Sequence, residues 1–152
     1  NDYKKFFKNH DVQDKQEKIG NGKQCVKLQK ILDERKTELP AFIKIDIEGS
    51  EYRIFDEILL NQDNFTGIGI ELHDVDIHME KIKKFIKELN MDLIHIHPQN
   101  PAHVAENDIP TQIELTFAKK PKIIGPEVKL PHVLDQPANP YLQDIDLFFE
   151  KE

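Results

Sequence analysis

Apolar and polar residues alternate in four short segments of the chain. AFIKIDI (41–47) is rich in β-branched residues and follows a proline, so the pattern predicts a strand. The same reasoning predicts strands over GIGIELH (67–73), MDLIHIH (91–97) and TQIELTFAKK (111–120). These four segments are the expected framework of a sheet.

Apolar residues recur at helical spacing in the segments between the strands. EYRIFDEILL (51–60) predicts a helix, with Ser50 as its N-cap and Glu51 near its positive end. MEKIKKFIKELN (79–90) predicts an amphipathic helix, because its lysines lie opposite its apolar residues. VKLQKILDERK (26–36) predicts a shorter helix upstream, with a short strand over residues 26–28 as the alternative.

The order of these elements predicts an α/β sheet. Strands separated by helices imply right-handed parallel crossovers. No helix separates the last two strands, so we expect them to run antiparallel, with or without another strand between them. The length of 152 residues suits one domain. We predict three regions: a polar N-terminal segment (1–24) holding a short helix and a loop, the α/β region (25–120), and a proline-rich extended C-terminal arm (121–152).

Composition excludes several classes of protein. The formal net charge of −7 argues against a nucleic-acid partner, which normally meets a basic surface. No apolar run approaches the about 20 residues that a membrane-spanning helix needs. Cys25 is the single cysteine, so an internal disulfide is excluded. A reducing compartment is the simplest interpretation, and we predict a cytoplasmic location.

Acidic residues and a histidine come at the carboxyl ends of the first two predicted strands. Asp46 and Glu48 follow the first strand, while Glu71 and His73 end the second. Ligands of open parallel sheets bind beyond this edge, so we interpret these four residues as one candidate site. Strand alternation puts Gly67, Gly69, Glu71 and His73 on one face, where the glycines are expected to let a helix or a ligand come close.

A structural interpretation stands beside the functional one. Alternating strands often have one solvated face, on which Lys44 or Glu71 would have no chemical role. Glu51 is expected to interact with the helix dipole rather than to take part in chemistry.

The segment FIKIDIEGSE (42–51) resembles the signature of the FkbM-type S-adenosylmethionine-dependent methyltransferases. Shorter resemblances follow in IELH (70–73), LIHIHPQN (93–100) and IELTF (113–117), so the resemblance covers roughly residues 24–120. It implies a Rossmann-like class I methyltransferase sheet, in which the last strand is antiparallel and inserts between the second and third predicted strands.

The sequence departs from that family in its first half. The glycine-rich loop after the family's first strand is absent, as is the acidic residue after its second strand that holds the cofactor's ribose. The chain therefore resembles the C-terminal half of the catalytic domain, and we expect either that the other half is missing or that cofactor binding has been lost. No adenosine-contacting residue can be assigned.

The resemblance implies methyl transfer from S-adenosylmethionine to a hydroxyl of a sugar, glycolipid or secondary metabolite. Asp46 would lie beside the methionine part of the cofactor or beside the acceptor hydroxyl. His73 is the better general base, since an ordinary imidazole has a pKa of about 6.5. Glu48 or Glu71 would orient His73 or bind the acceptor. Alternatively, the carboxylates hold Mg²⁺ or a similar hard ion, which acidifies the bound hydroxyl.

Two other functions stay open. The chain could be a non-catalytic half-domain that serves as a binding or oligomerisation module, forming a homodimer or pairing with a missing N-terminal half. A hydrolase using the paired carboxylates is the other alternative, although the sequence has no nucleophile motif such as G-x-S-x-G.

Overall fold

The computed structural model describes residues 19–20, 23, 25–35, 40–105, 109–122 and 130–147. Its elements, in chain order, are α1 (Leu28–Asp33), β1 (Ala41–Ile45), α2 (Phe55–Leu60), β2 (Phe65–His73), α3 (Val75–Glu88), β3 (Asp92–Pro98) and β4 (Gln112–Ala118). Each predicted strand is present, with ends shifted by no more than two residues. The short helix expected within residues 1–24 falls on positions outside the described residues.

The four strands form one sheet in the order β1-β2-β4-β3. β1 and β2 are parallel, with Ile43 opposite Ile68, and β4 pairs antiparallel with both β2 and β3. The expected insertion of the last strand between the second and third is therefore confirmed. Because β1 and β2 are parallel neighbours, their carboxyl ends meet at one edge of the sheet.

The segment after β1 differs from the prediction of one continuous helix over residues 51–60. A 3-10 turn spans Glu51–Arg53, and α2 begins only at Phe55. Ser50 makes no side-chain capping hydrogen bond, so its predicted role is wrong. The buried Glu51 carboxylate instead accepts the backbone amides of Ile47 and Gly49, which holds the chain in a tight turn before the α-helix starts.

Two residues with positive φ angles lie just after the ends of β1 and β2. Glu48 has a φ of 53° in the turn after β1, and Asp74 has a φ of 51° immediately after β2. This conformation costs a residue with a side chain about 1–2 kcal/mol, so neighbouring contacts must stabilise both turns. The turn at Asp74 lets α3 begin at Val75, earlier than the predicted start at residue 79.

The core lies between the sheet and the helices α2 and α3. The Phe55 and Phe85 rings stack with centroids 4.1 Å apart, and Phe85 meets Phe117 edge-on at 6.2 Å. The β2 residues that face these rings, Ile68 and Ile70, are fully buried. This packing fixes β2 in register, so the alternate residues of the strand must face the other side of the sheet.

That other side carries the glycines and polar residues of β2. The ring of Phe42 on β1 lies over Gly67 and Gly69, where an added Cβ would meet ring atoms at 3.0 and 3.3 Å. The ring of Phe42 therefore takes up the space beside the two glycines that was expected to admit a helix or a ligand. Further along the same face, Lys44 forms an ion pair with Glu114 at 3.2 Å.

The described part of the C-terminal arm, residues 130–147, contains no helix or strand and contacts the end of β3. Asn100 donates its side-chain amide to the carbonyl oxygens of Asn139 and Leu142, at 2.8 and 3.0 Å. Nε2 of His95 lies 3.0 Å from Oδ1 of Asp135. The division of the chain into three regions stays a prediction.

None of the helices in the described part of the chain is long and apolar enough to cross a membrane.

Candidate functional site

His73, the last residue of β2, is surrounded by carboxylates. Its Nδ1 atom lies 3.3 Å from Oε1 of Glu51, and its Nε2 atom lies 3.5 Å from Glu48 and 3.9 Å from Glu71. Asp46 completes the group, since one donor atom each of Asp46, Glu51 and His73 lie within 4.8 Å of one another. We call these five residues the His73 cluster.

The structure thus brings together all four residues that the sequence predicted. Asp46 and Glu48 follow β1, Glu71 and His73 end β2, and the parallel pairing of the strands places them at one edge. Asp46 is exposed, and the Glu48 side chain is 87% exposed, whereas those of Glu71 and His73 are 15% and 17% exposed. The cluster therefore has a solvent-facing rim and a shielded floor.

Glu51 is the member of the cluster that sequence reasoning missed as a functional candidate. Its side chain is fully buried, and its Oε1 atom accepts backbone amides at 3.0 and 3.2 Å. A glutamate in the first turn of a helix is usually exposed near the positive end of the helix dipole, so no sequence pattern indicated that this side chain is buried. The spacing of Asp46, Glu48 and Glu51 around Gly49 is the signal that could have found it.

Gln112 is the second residue that the sequence did not indicate. It lies opposite His73 in the pairing of β2 with β4. Its side-chain amide donates to Glu71 and lies 3.2 Å from Nε2 of His73. Gln112 thus fixes two members of the cluster, and only the register of β4 reveals this.

Tyr52 anchors the backbone beneath the cluster. Its hydroxyl donates to the backbone carbonyl of His73, which ties the 3-10 turn after β1 to the end of β2. Burial, followed by the nearby charges of Glu51, Asp74 and Asp76, raises the pKa of Tyr52 well above its usual range. The phenol therefore keeps its proton, and its hydrogen bond to His73, up to a higher pH than an exposed tyrosine does.

The cluster can serve two kinds of chemistry. An imidazole held among carboxylates can accept a proton from a hydroxyl placed at the rim. The same oxygen and nitrogen atoms can instead hold a metal ion.

Comparison with known protein families matches residues 5–95 to the methyltransferase FkbM domain. The match covers more than half of the chain, and the chain belongs to this family. The matched region begins earlier than the resemblance found in the sequence and ends within β3. It therefore includes the whole His73 cluster but not Gln112. No curated protein and no solved structure matches the chain.

Proposed function

We propose that this protein is an S-adenosylmethionine-dependent O-methyltransferase, and that the His73 cluster handles the proton of the acceptor hydroxyl. Membership of the FkbM family supports a methyltransferase that uses S-adenosylmethionine. The observation that carries the proposal is the contact of one imidazole with the carboxylates of Glu48 and Glu51 at the carboxyl edge of two parallel strands. The proposed acceptor is a hydroxyl of a sugar, glycolipid or secondary metabolite.

The described residues do not fit the adenosine half of the cofactor. No described strand is followed by a glycine-rich loop of the kind that approaches a nucleotide. The turn after β1 has a single glycine, Gly49, and three acidic residues lie around it. A contact between Asp46 and the methionine part of S-adenosylmethionine stays a prediction.

The roles of the chain's own residues follow from their positions. Glu48 and Asp46 are exposed and can bind the hydroxyl-bearing acceptor at the rim. His73 accepts the hydroxyl proton, and the neighbouring side chains of Glu51 and Gln112 limit the space in which its ring can turn. A hard cation such as Mg²⁺ at these carboxylates is the other proposed means of acidifying the hydroxyl.

The sheet supports a more specific fold assignment. We propose that it is the C-terminal half of a Rossmann-like class I methyltransferase sheet. The order β1-β2-β4-β3, in which the last strand is antiparallel, supports this assignment.

A non-catalytic binding or oligomerisation module is the second candidate. Among the described strands β1 pairs only with β2, so its other edge offers backbone groups to a further strand, either from a second copy or from an N-terminal half-domain. Phe42, 58% exposed, adds apolar surface beside this edge.

Titration with S-adenosylhomocysteine separates the two candidates when it is paired with an activity assay. We expect this chain alone to bind the product cofactor more weakly than about 100 µM, which corresponds to a binding free energy of about −5.5 kcal/mol. The whole natural protein should transfer a labelled methyl group to hydroxyl acceptors. An obligate dimer that transfers no methyl group would favour the binding module.

A further inference from the structure

Three donor atoms in the His73 cluster converge from separate parts of the chain. Asp46 follows β1, Glu51 lies in the 3-10 turn and His73 ends β2, yet one donor atom of each lies within 4.8 Å of the others. Acidic groups often gather at protein surfaces without any ligand, so convergence alone does not define a site.

The environment of Glu51 is an independent indication of a ligand. Its side chain is fully buried, and Oε2 has no hydrogen-bond partner among the described residues, whereas Oε1 accepts two backbone amides. A buried carboxylate oxygen without a partner is costly. A cation bound at Oε2 would offset this cost.

His73 also has a shielded polar atom without a hydrogen-bond partner among the residues that the structure describes. Its Nδ1 atom is shielded from solvent and lies 3.3 Å from Glu51, but it has no hydrogen-bond partner within the described part of the chain. The two groups are close without the alignment that a hydrogen bond requires. In the described ranges, Oε2 of Glu51 and Nδ1 of His73 thus both lack a hydrogen-bond partner, and one ion bound by the two side chains would be a partner for both.

We propose that Asp46, Glu51 and His73 bind one divalent transition-metal ion, such as Mn²⁺ or Zn²⁺. An imidazole in the ligand set favours transition ions over Mg²⁺ and Ca²⁺, which prefer oxygen ligands alone. Metal bonds to nitrogen and oxygen are about 2.0–2.2 Å long, so two ligand atoms of one ion lie at most about 4.4 Å apart. Asp46 is exposed and can close this small difference by a change of rotamer.

The role of the ion rests on the proposed function. Three protein ligands leave coordination positions open, and an acceptor hydroxyl bound at one of them would lose its proton more easily, with the exposed Glu48 carboxylate as the proton acceptor. In this arrangement His73 is a ligand rather than the general base. The exposed Glu48, beside Nε2 of His73, is then the carboxylate nearest to the ligand set on the solvent side.

Metal titration of the full chain tests the site without any methyl transfer. We expect Mn²⁺ to bind in a 1:1 complex and to broaden the NMR signals of the His73 ring. Zn²⁺ should bind more tightly than Mn²⁺, as the general order of divalent affinities requires. Mg²⁺ should bind at least about tenfold more weakly than Mn²⁺, since it makes little use of the imidazole.

Variants assign the ligands. Asp46→Asn and His73→Gln should each weaken Mn²⁺ binding at least about tenfold, because even changes outside the ligand shell cost 10–100-fold in such sites. The matched controls Asp92→Asn and His103→Gln change exposed residues outside the cluster and should bind as the parent does. Asp46→Asn is the sharper test, because an exposed side chain contributes little to folding.

The outcomes for the metal and for the function are distinct. Failure of Mn²⁺ to bind at millimolar concentration, or equal binding by Asp46→Asn and Asp92→Asn, overturns the metal site. If the metal site is overturned and methyl transfer continues in the presence of a chelator, the proposed function stands and His73 is the base. Specific Mn²⁺ binding in a protein that transfers no methyl group supports the site and counts against the function.

Discussion

Oε1 of Glu51 lies 3.3 Å from Nδ1 of His73, and this contact joins the turn after β1 to the end of β2. The same oxygen accepts the amides of Ile47 and Gly49, so one buried carboxylate organises both the backbone of the turn and the imidazole above it. The stability of the turn and the position of the His73 ring therefore depend on the same side chain, and different substitutions should separate the two effects.

Replacing Glu51 by alanine should lower the free energy of unfolding by about 2 kcal/mol, because the amides of Ile47 and Gly49 lose their acceptor inside the protein. Glu51→Gln retains an acceptor oxygen and should cost less. Urea unfolding followed by circular dichroism measures both changes. Glu80→Ala, on the exposed side of α3, is the control and should stay within about 0.5 kcal/mol of the parent. Equal stability of Glu51→Ala and this control would refute the structural role.

The buried hydroxyl of Tyr52 should make stability depend on pH above about 10, the ordinary pKa of tyrosine. Because burial and the nearby carboxylates raise the pKa of Tyr52 in the folded state, the unfolded chain loses the phenolic proton first. The free energy of unfolding should therefore fall as the pH rises above about 10. Tyr52→Phe should show a smaller fall between pH 9 and 11 in urea unfolding.

Tyr141, which is 93% exposed, provides the matched control for that experiment. Tyr141→Phe should keep the pH dependence of the parent, whereas Tyr52→Phe should already be less stable at pH 8 by about 1 kcal/mol, because it no longer donates to the carbonyl of His73. Identical pH dependence in the two variants would show that the phenol of Tyr52 titrates normally.

Two glycines on the same face of β2 should respond differently to substitution. A Cβ on Gly67 would lie 2.7 Å from the carbonyl oxygen of Phe117, and this backbone atom cannot move aside. The nearest atom to a Cβ on Gly69 is the ring tip of Phe42, at 3.3 Å. Gly67→Ala should therefore cost about 2–3 kcal/mol in thermal or urea unfolding, and Gly69→Ala less than about 1 kcal/mol.

Removing Phe42 distinguishes the two clashes. Phe42→Ala should relieve the cost of Gly69→Ala but leave most of the cost of Gly67→Ala, since the backbone oxygen stays in place. Equal costs for the two glycines, or full rescue of Gly67→Ala, would contradict the described pairing of β2 with β4.

Asn100 should hold the C-terminal arm against the end of β3. Its Oδ1 atom accepts the amide of Asn139 at 2.9 Å, and the side chain is largely buried. In Asn100→Ala, hydrogen exchange at the Asn139 amide should accelerate about five- to tenfold, as expected for the loss of about 1 kcal/mol of local stability. Asn90→Ala, at an exposed turn, should leave this amide unchanged. Unchanged protection in Asn100→Ala would mean that the arm is held elsewhere.

The sequence was sufficient to predict the four strands and the edge at which the polar residues meet, whereas the place of β4 between β2 and β3 followed from the family resemblance. Alternation along β2 separates Ile68 and Ile70 from Glu71 and His73, and a buried hydrophobic face leaves the strand no other orientation. The parallel pairing with β1 then brings Asp46 to His73. These features depend on local periodicity and on general rules of connection, which a single sequence carries.

The inward position of Glu51 and the role of Gln112 could not be predicted in this way. The first depends on how the turn at Gly49, with a φ of 86°, directs the following residue toward β2. The second depends on the register of β4, which is set by pairing with a distant strand. Phe42 covers the glycines for the same reason, since the contact exists only once two strands are aligned.

Methyl transfer by an Asp46 variant tests the central claim most directly. In the whole natural protein, with labelled S-adenosylmethionine and a panel of hydroxyl acceptors, Asp46→Ala should lower the rate at least about 100-fold, as expected for a group that positions or activates the reacting hydroxyl. Its melting temperature should match that of Asp92→Ala, which should keep its activity. Near-normal methyl transfer by folded Asp46→Ala would contradict the assignment of the His73 cluster as the reaction site.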